Sequence, residues 1–208
     1  MIITKAPFRM SFFGGGTDME SFFKENGGAV LSTTFDKYCY VNVRHLPRFF
    51  DYSTELSYSK TERVTNIDDI QHPAIRNAMK MLDMHEIRLT YEADLPALSG
   101  LGTSSSFAVG MLNAFYALKG KYADKKKLAD EAIYLERNLC QEAAGKQDKT
   151  AKMKEMLALV DDAERVLTDK NADLDDFGRM LDHTWKLKRQ TGAAVSTNSI
   201  DELYDRGI

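Results

Sequence analysis

The chain has 208 residues, a formal charge of −3, and acidic and basic residues interspersed without a long block of either sign. That balance argues against a nucleic-acid arm or a membrane-surface helix, and no apolar run is long enough to cross a bilayer as a helix. At 43% hydrophobic and 28% charged residues, it reads as one large folded domain or two small ones with a real core.

The opening MIITKAPFRM lacks the apolar stretch of a signal peptide, so a cytoplasmic protein is expected. Ile2 and Ile3 begin a short strand ending near Pro7. Residues 9–13 form a second extended piece that runs into Gly14, Gly15 and Gly16. Thr17 and Glu20 have capping-box spacing, which predicts a helix from there to Lys24, stopped by Gly27 and Gly28. Residues 29–34 and 38–44 are rich in β-branched and aromatic side chains and read as two strands. His72-Pro73 precedes a helix reaching Leu82, and residues 86–92 read as a further strand.

From there the pattern is helical. Residues 104–118 follow a glycine-containing loop, and residues 124–139 form a charged amphipathic segment whose Lys125, Lys126 and Lys127 read as a solvated first turn. Met153, Met156, Leu157, Val160 and Leu167 recur at helical spacing, as do Leu174, Phe177, Leu181 and Trp185. A last helix covers about 199–205, with Gly207 as its stop. Cys39 and Cys140 have no partners at metal-ligand spacing and read as free thiols, and the four histidines make no paired motif.

Three stretches carry chemistry. In the first, Lys5 to Asp18, three consecutive glycines let the backbone bend and approach a ligand, and Asp18 falls in the first turn of the next helix. A carboxylate there can accept hydrogen bonds from neighbouring sugar hydroxyls. It equally suits an ordinary turn with an acid at a helix N-terminus. In the second, Leu95 to Ser106, glycines precede a helix, leaving N–H groups for an anion and hydroxyls for phosphate or Mg²⁺. It is neither a Walker A loop nor a dinucleotide fingerprint, and a serine-capped helix after a plain loop is the simpler alternative. The third runs from Glu136, late in a helix that Gly145 ends, to Asp148 in the turn beyond. One acid can position Mg²⁺ and the other can take a proton, although for this stretch alone a solvated face for Glu136 and a helix cap for Asp148 are the preferred reading.

In this order the three stretches resemble the GHMP kinase family, which includes galactokinase, homoserine kinase and mevalonate kinase. Pro7, Arg9, Gly14 and Asp18 match its first motif. Pro96, Gly100, Leu101, Gly102, Ser104 and Ser105 match its phosphate loop, and Glu136 and Asp148 resemble the galactokinase pair of Mg²⁺ ligand and catalytic aspartate. Galactokinases have Glu-His at Gly15-Gly16; the triple glycine is similar to the branch of D-glycero-D-manno-heptose 7-phosphate 1-kinases and fucokinase kinase parts.

The resemblance implies a two-lobed α+β fold. Its N-terminal lobe, 1–148, is like ribosomal protein S5 domain 2 and holds ATP and sugar. The second lobe is ferredoxin-like and incomplete over 149–208, with a segment after Asp148, the glycine-rich third motif and the C-terminal strands expected to be missing. It also implies ATP and Mg²⁺ as cofactors and a small sugar or sugar phosphate as partner. Residues 100–106, including Thr103 and Ser106, would hold the phosphates, with Ser104 and Glu136 on the metal. Asp148 would be the base beside Arg9, and Gly14, Gly15, Gly16, Thr17 and Asp18 would meet the sugar. Arg44, Arg48 and Lys60 are candidates for a substrate phosphate. An L-fucose kinase, a non-catalytic sugar or nucleotide sensor, and a helical interaction protein built on residues 150–205 are the rival readings.

Overall fold

Side chains alternate between buried and exposed along one unbroken strand, β1 (Ile2–Phe13), with Thr4, Ala6 and Phe8 turned inward. The structure, a computed structural model, describes residues 1–96, 101–140, 150–190 and 198–207. The two extended pieces expected on either side of Pro7 are therefore a single strand. Pro7 is tolerated because β1 is the outer strand of its sheet, where a missing N–H breaks no interior ladder. The two strands expected between residues 29 and 44 are likewise one, β2 (Leu31–His45).

The chain divides into two compact units, Met1–Met10 with Thr34–Ala143, and Ser11–Thr33 with Ala144–Ile208, so that β1 and β2 contribute residues to both. In the first unit follow β3 (Thr54–Ser57), β4 (Thr61–Val64), a 3₁₀ turn (Ile67–Asp69), α2 (Pro73–Met81), β5 (Ile87–Ala93), α3 (Thr103–Leu118) and α4 (Lys125–Tyr134). The sheet order is β1-β2-β5-β3-β4, with β5 antiparallel to β2 and parallel to β3. Val41, Val43, Leu56, Ile87 and Leu89 form its inner face and pack on Ile75 and Met79 of α2 and on Met111, Leu112 and Phe115 of α3. Each such buried side chain contributes about 1.5–3 kcal/mol. Thr4 fixes the seating of α3: its buried hydroxyl donates to the Gly110 carbonyl at 2.8 Å.

Strands β3 and β4 have no counterpart in the sequence reading, because the charged residues that break their apolar pattern are themselves buried. Glu55 accepts from the Tyr52 hydroxyl at 2.8 Å, from Arg63 Nε at 3.0 Å and from Arg88. Glu62 accepts from the Gln71 N–H at 2.7 Å and from the Tyr58 hydroxyl. Cys39 and Cys140 are both free thiols, and burial pushes the Cys39 thiol up to about 11, so it stays protonated and inert at neutral pH.

The second unit contains α1 (Glu20–Asn26), α5 (Thr150–Thr168), α6 (Leu174–Arg189) and α7 (Asn198–Gly207). Its core joins Phe13 to Val160 and Ala163 of α5, with Phe177 of α6 edge-on to Phe13 at 5.1 Å between ring centroids. Helix α1 ends at Gly27, which has φ 73° and donates its N–H to the Phe23 carbonyl at 3.0 Å. The capping box expected from Thr17 and Glu20 does not form. Helix α1 begins at Glu20 behind Met19, which makes no side-chain cap bond, and Thr17 is fully buried with its hydroxyl 2.8 Å from the carbonyls of both Gly14 and Ala29. Asp18 therefore stands in the turn before α1 rather than in its first turn.

Candidate active site

The residues that resemble a phosphate loop in sequence open α3. Gly102 is the residue just before the helix, with φ 72° and ψ 27°, a left-handed conformation that glycine reaches without the strain a Cβ adds. Its carbonyl accepts the first helical bond, from the Ser106 N–H at 3.0 Å, and as a glycine it offers no side chain to cap the end of the helix. A Cβ on Gly102 would lie 3.1 Å from Arg9 Cγ, so the arginine stem occupies the space that a side chain here would need. The Arg9 N–H also donates to the Leu101 carbonyl at 3.2 Å. Backbone and side chain of Arg9 thus both bear on the loop.

Three consecutive serines in the first turn of α3 face different partners. Ser104 Oγ donates to Glu136 Oε1 at 3.0 Å and Ser105 Oγ to Oε2 at 3.2 Å. Ser106 Oγ turns back to the Pro7 carbonyl at 2.9 Å, pinning α3 to β1. Glu136 comes from a segment that was expected to be plain helix. Helix α4, capped by the Asp124 side chain on the Lys127 N–H, runs to Tyr134 and then widens into a π-helical turn, Leu135–Leu139, closed by the Cys140 N–H on the Leu135 carbonyl at 2.9 Å. Such a turn inserts an extra residue into the helical register and resets the direction of the side chains within it. The buried side chain of Leu135 anchors the turn while Glu136 meets the serines.

Arg9, Leu101, Gly102, Ser104, Ser105 and Glu136 are therefore one cluster within the first unit. Thr103 is the first residue of α3, and Pro96 is exposed at the end of the described segment before it. Gly100, Gly145 and Asp148 lie outside the described residues. The second hydroxyl on Glu136, from Ser105, was not singled out in sequence as a metal-site partner, because a run of three serines does not reveal which of them face the acid.

The glycine-rich turn belongs to the second unit. Gly14 has φ 74°, and a Cβ there would come 1.9 Å from the Ala29 carbonyl oxygen and 2.8 Å from Val160 Cγ2. Gly16, with φ 103°, donates its N–H to Asp18 Oδ1 at 3.1 Å. Gly15 is open: the one described atom within 4 Å of a Cβ there is Lys188 Nζ, at 3.9 Å. Thr17 thus holds the turn from behind, while the Gly15 backbone and the Asp18 carboxylate are on its exposed side.

Comparison with known proteins agrees with this architecture. The family model for the GHMP kinases N terminal domain matches residues 70–165, a span that includes the serine turn and Glu136. Among solved structures, a D-glycero-D-manno-heptose 1-phosphate kinase from Bacteroides thetaiotaomicron superposes with a TM-score of 0.74 at 20% identity, over 91% of this chain and 80% of that one. A mevalonate kinase gives 0.68 at 15% identity over 99% and 84%. The Methanococcus jannaschii mevalonate kinase gives 0.67 at 15% identity over 98% and 83%. No curated protein matches the chain. The mixed helices and five-stranded sheet are those of the GHMP kinase fold. Residues 70–165, a little under half of the chain, are similar to the N terminal domain of the GHMP kinases, and the fold is the one those kinases share.

Proposed function

We propose that the chain is an ATP-dependent sugar kinase whose acceptor is the anomeric hydroxyl of D-glycero-D-manno-heptose 7-phosphate. The observation that carries the kinase reading is the convergence of two serine hydroxyls at a helix N-terminus on a single carboxylate, Glu136, with Arg9 packed on the glycine that precedes the helix. The heptose is supported by the triple glycine and by the name of the Bacteroides neighbour, which acts on a heptose.

Phosphoryl transfer depends on positioning and on neutralising charge more than on covalent help from the protein. The amides and hydroxyls of the 101–106 turn suit the phosphates of ATP, because the helix end adds partial positive charge. The donor set Ser104, Ser105 and Glu136 is all oxygen, which fits Mg²⁺, a hard cation that keeps several waters. When bound, Mg²⁺ offsets charge on the β- and γ-phosphates. Arg9 adds a second positive charge at the same turn. Asp148, outside the described residues, is assigned the role of orienting the acceptor hydroxyl and taking its proton, and Asp18 that of holding sugar hydroxyls. Cytoplasmic location stays part of the proposal; among the described residues no helix is long and apolar enough to cross a membrane.

The test is turnover of ATP with Mg²⁺ against a panel of heptose 7-phosphate, heptose 1-phosphate, fucose, galactose and mevalonate. Sugar-dependent ADP release with the 7-phosphate, and a product phosphorylated at C1 by NMR, is the expected result. Nucleotide binding without turnover on any acceptor refutes the kinase reading in favour of a sensor.

A further inference from the structure

The loop between β2 and β3 carries two phenylalanines that the core does not take up. Phe49 is 90% exposed and Phe50 50% exposed, in the run Arg48-Phe49-Phe50-Asp51. One exposed apolar side chain needs no explanation, but an aromatic pair beside an aromatic-walled hollow does. That hollow has a volume of about 150 Å³, and its lining includes Pro47, Phe50 and Tyr52 with the charged Arg48, Asp51 and Glu86. A cavity of this size admits one benzene ring. Phe49 adjoins it in the chain without lining it.

The walls are held before any partner arrives. Phe50 stacks on Tyr52 with ring centroids 5.2 Å apart and an interplanar angle of 18°. The Tyr52 hydroxyl donates to the buried Glu55 at 2.8 Å, and the Arg63 guanidinium lies 5.2 Å from the centre of the Tyr52 ring. The Leu46 N–H donates to the Glu86 carbonyl at 2.7 Å, and Arg48 pairs with the Glu86 carboxylate at 2.7 Å. The Asp51 carboxylate has no ion-pair partner among the described residues. Along the chain the loop therefore runs cation, ring, ring, anion. Such a pattern complements itself when two copies meet antiparallel across a two-fold axis. Arg48 of each copy then faces Asp51 of the other, and Phe49 of each faces the wall made by Phe50 and Tyr52.

We propose that this loop is a self-complementary contact between two copies of the chain, in which Phe49 of each enters the hollow of the other. The contact is small, so the dimer is of the weak, concentration-dependent kind. It leaves the serine turn free. Strand β5 starts beside the hollow, where Ile87 pairs with His45, and ends at Ala93 opposite Cys39. Helix α3 runs back from the serines toward the hollow's end of the sheet, where Lys119 Nζ donates to the Leu82 carbonyl at 2.5 Å.

The test is sedimentation equilibrium of the whole chain at concentrations up to about 0.5 mM, for the wild type, Phe49→Ser, Arg48→Asp, Asp51→Arg and an equimolar mixture of the last two. All three positions are exposed, the Arg48–Glu86 pair is of the surface kind that adds little to folding, and thermal melts check that each variant folds. The wild type should approach the dimer mass as concentration rises, and Phe49→Ser should weaken association by about tenfold or more. Arg48→Asp and Asp51→Arg should each stay monomeric alone, because each sets like charges against one another at both ends of the contact. Their mixture should dimerise, since unlike charges then meet at both ends. A wild type that is monomeric throughout, association unchanged by Phe49→Ser, or a mixture no more associated than its components overturns the proposal. So does a monomeric wild type that co-sediments with phosphatidylcholine vesicles, which assigns the phenylalanines to a lipid surface instead.

Discussion

Replacing Glu136 by glutamine separates the two jobs that the carboxylate can do. It accepts from Ser104 and Ser105 at 3.0 and 3.2 Å, and so engages the hydroxyls proposed to meet phosphate. A phosphate oxygen accepting from one of these hydroxyls sits about 2.7 Å from the serine oxygen and hence about 4–6 Å from the carboxylate. Two unit charges at about 5 Å repel by about 3 kcal/mol at an effective dielectric near 20. Salt and the partial exposure of the site reduce this to about 1 kcal/mol. Without metal, Glu136→Gln should therefore bind ATP about fivefold more tightly than wild type. With Mg²⁺ the order reverses: an amide is a poor ligand for a hard cation, so the enhancement of ATP binding by Mg²⁺ should fall by about tenfold and kcat by about 10²-fold or more. Calorimetric titration of ATP with EDTA, and then with excess Mg²⁺, reads both effects. A variant that binds metal-free ATP no better than wild type and keeps the full Mg²⁺ enhancement refutes the placement of Glu136 at the nucleotide's phosphates.

Gly14→Ala should cost at least about 3 kcal/mol in urea unfolding, because left-handed strain of about 1–2 kcal/mol adds to a Cβ placed 1.9 Å from a backbone oxygen; Gly15→Ala, with room for the methyl, should cost less than about 1 kcal/mol, and equal costs would refute the packing argument. Asp18→Ala should raise the KM for the sugar about tenfold or more and leave that for ATP unchanged; equal rises would mark Asp18 as a purely structural support of the turn. Burial raises the Glu55 carboxyl, but hydrogen bonds from Tyr52 and Arg63 and the charges of Arg88 and Arg63 outweigh it and hold the group below the usual carboxylate range. Its contribution is then fully present above the unfolded-state value of about 4.3 and is lost as pH falls through the lower folded value. Glu55→Gln should flatten the acid limb of stability measured by denaturant titration from pH 7 to pH 3, and an unchanged limb would show that the network is not linked to folding.

Sequence alone revealed those elements whose burial follows a simple period. Helices α2 and α3 and strand β5 carry apolar residues on the face that meets the core, and their ends fall within a residue or two of expectation. Pro7 divided β1 in the sequence reading, since proline is a poor interior strand residue, and only the position of β1 at the sheet edge makes it acceptable. Strands β3 and β4 stayed hidden because Glu55 and Glu62 are buried at 4% and 7% exposure, reversing the usual correspondence between charge and solvent. Two of their partners, Arg88 and Gln71, come from outside the β3–β4 hairpin, and no local pattern announces such a pairing.

The candidate site was legible in its residue types and hidden in its geometry. Glycine and serine before a helix point to an anion-binding end, and Glu136 was picked out with Asp148 by resemblance to the galactokinase pair. The sequence does not show that the helix carrying Glu136 widens into a π turn between Leu135 and Leu139. In a regular α-helix each residue advances about 100° around the axis, so the extra residue of a π turn changes which side chains face α3. Glu136 meets Ser104 and Ser105 from within that turn, and the buried Leu135 ties its orientation to the core. The glycine turn shows the converse. Its triple glycine suggested ligand contact throughout, yet Gly14 is required by the approach of Ala29 and Val160, and Thr17 by the two carbonyls it joins. That leaves Gly15 as the glycine of the motif with room around it, next to the exposed Asp18 carboxylate on which the substitution experiment acts.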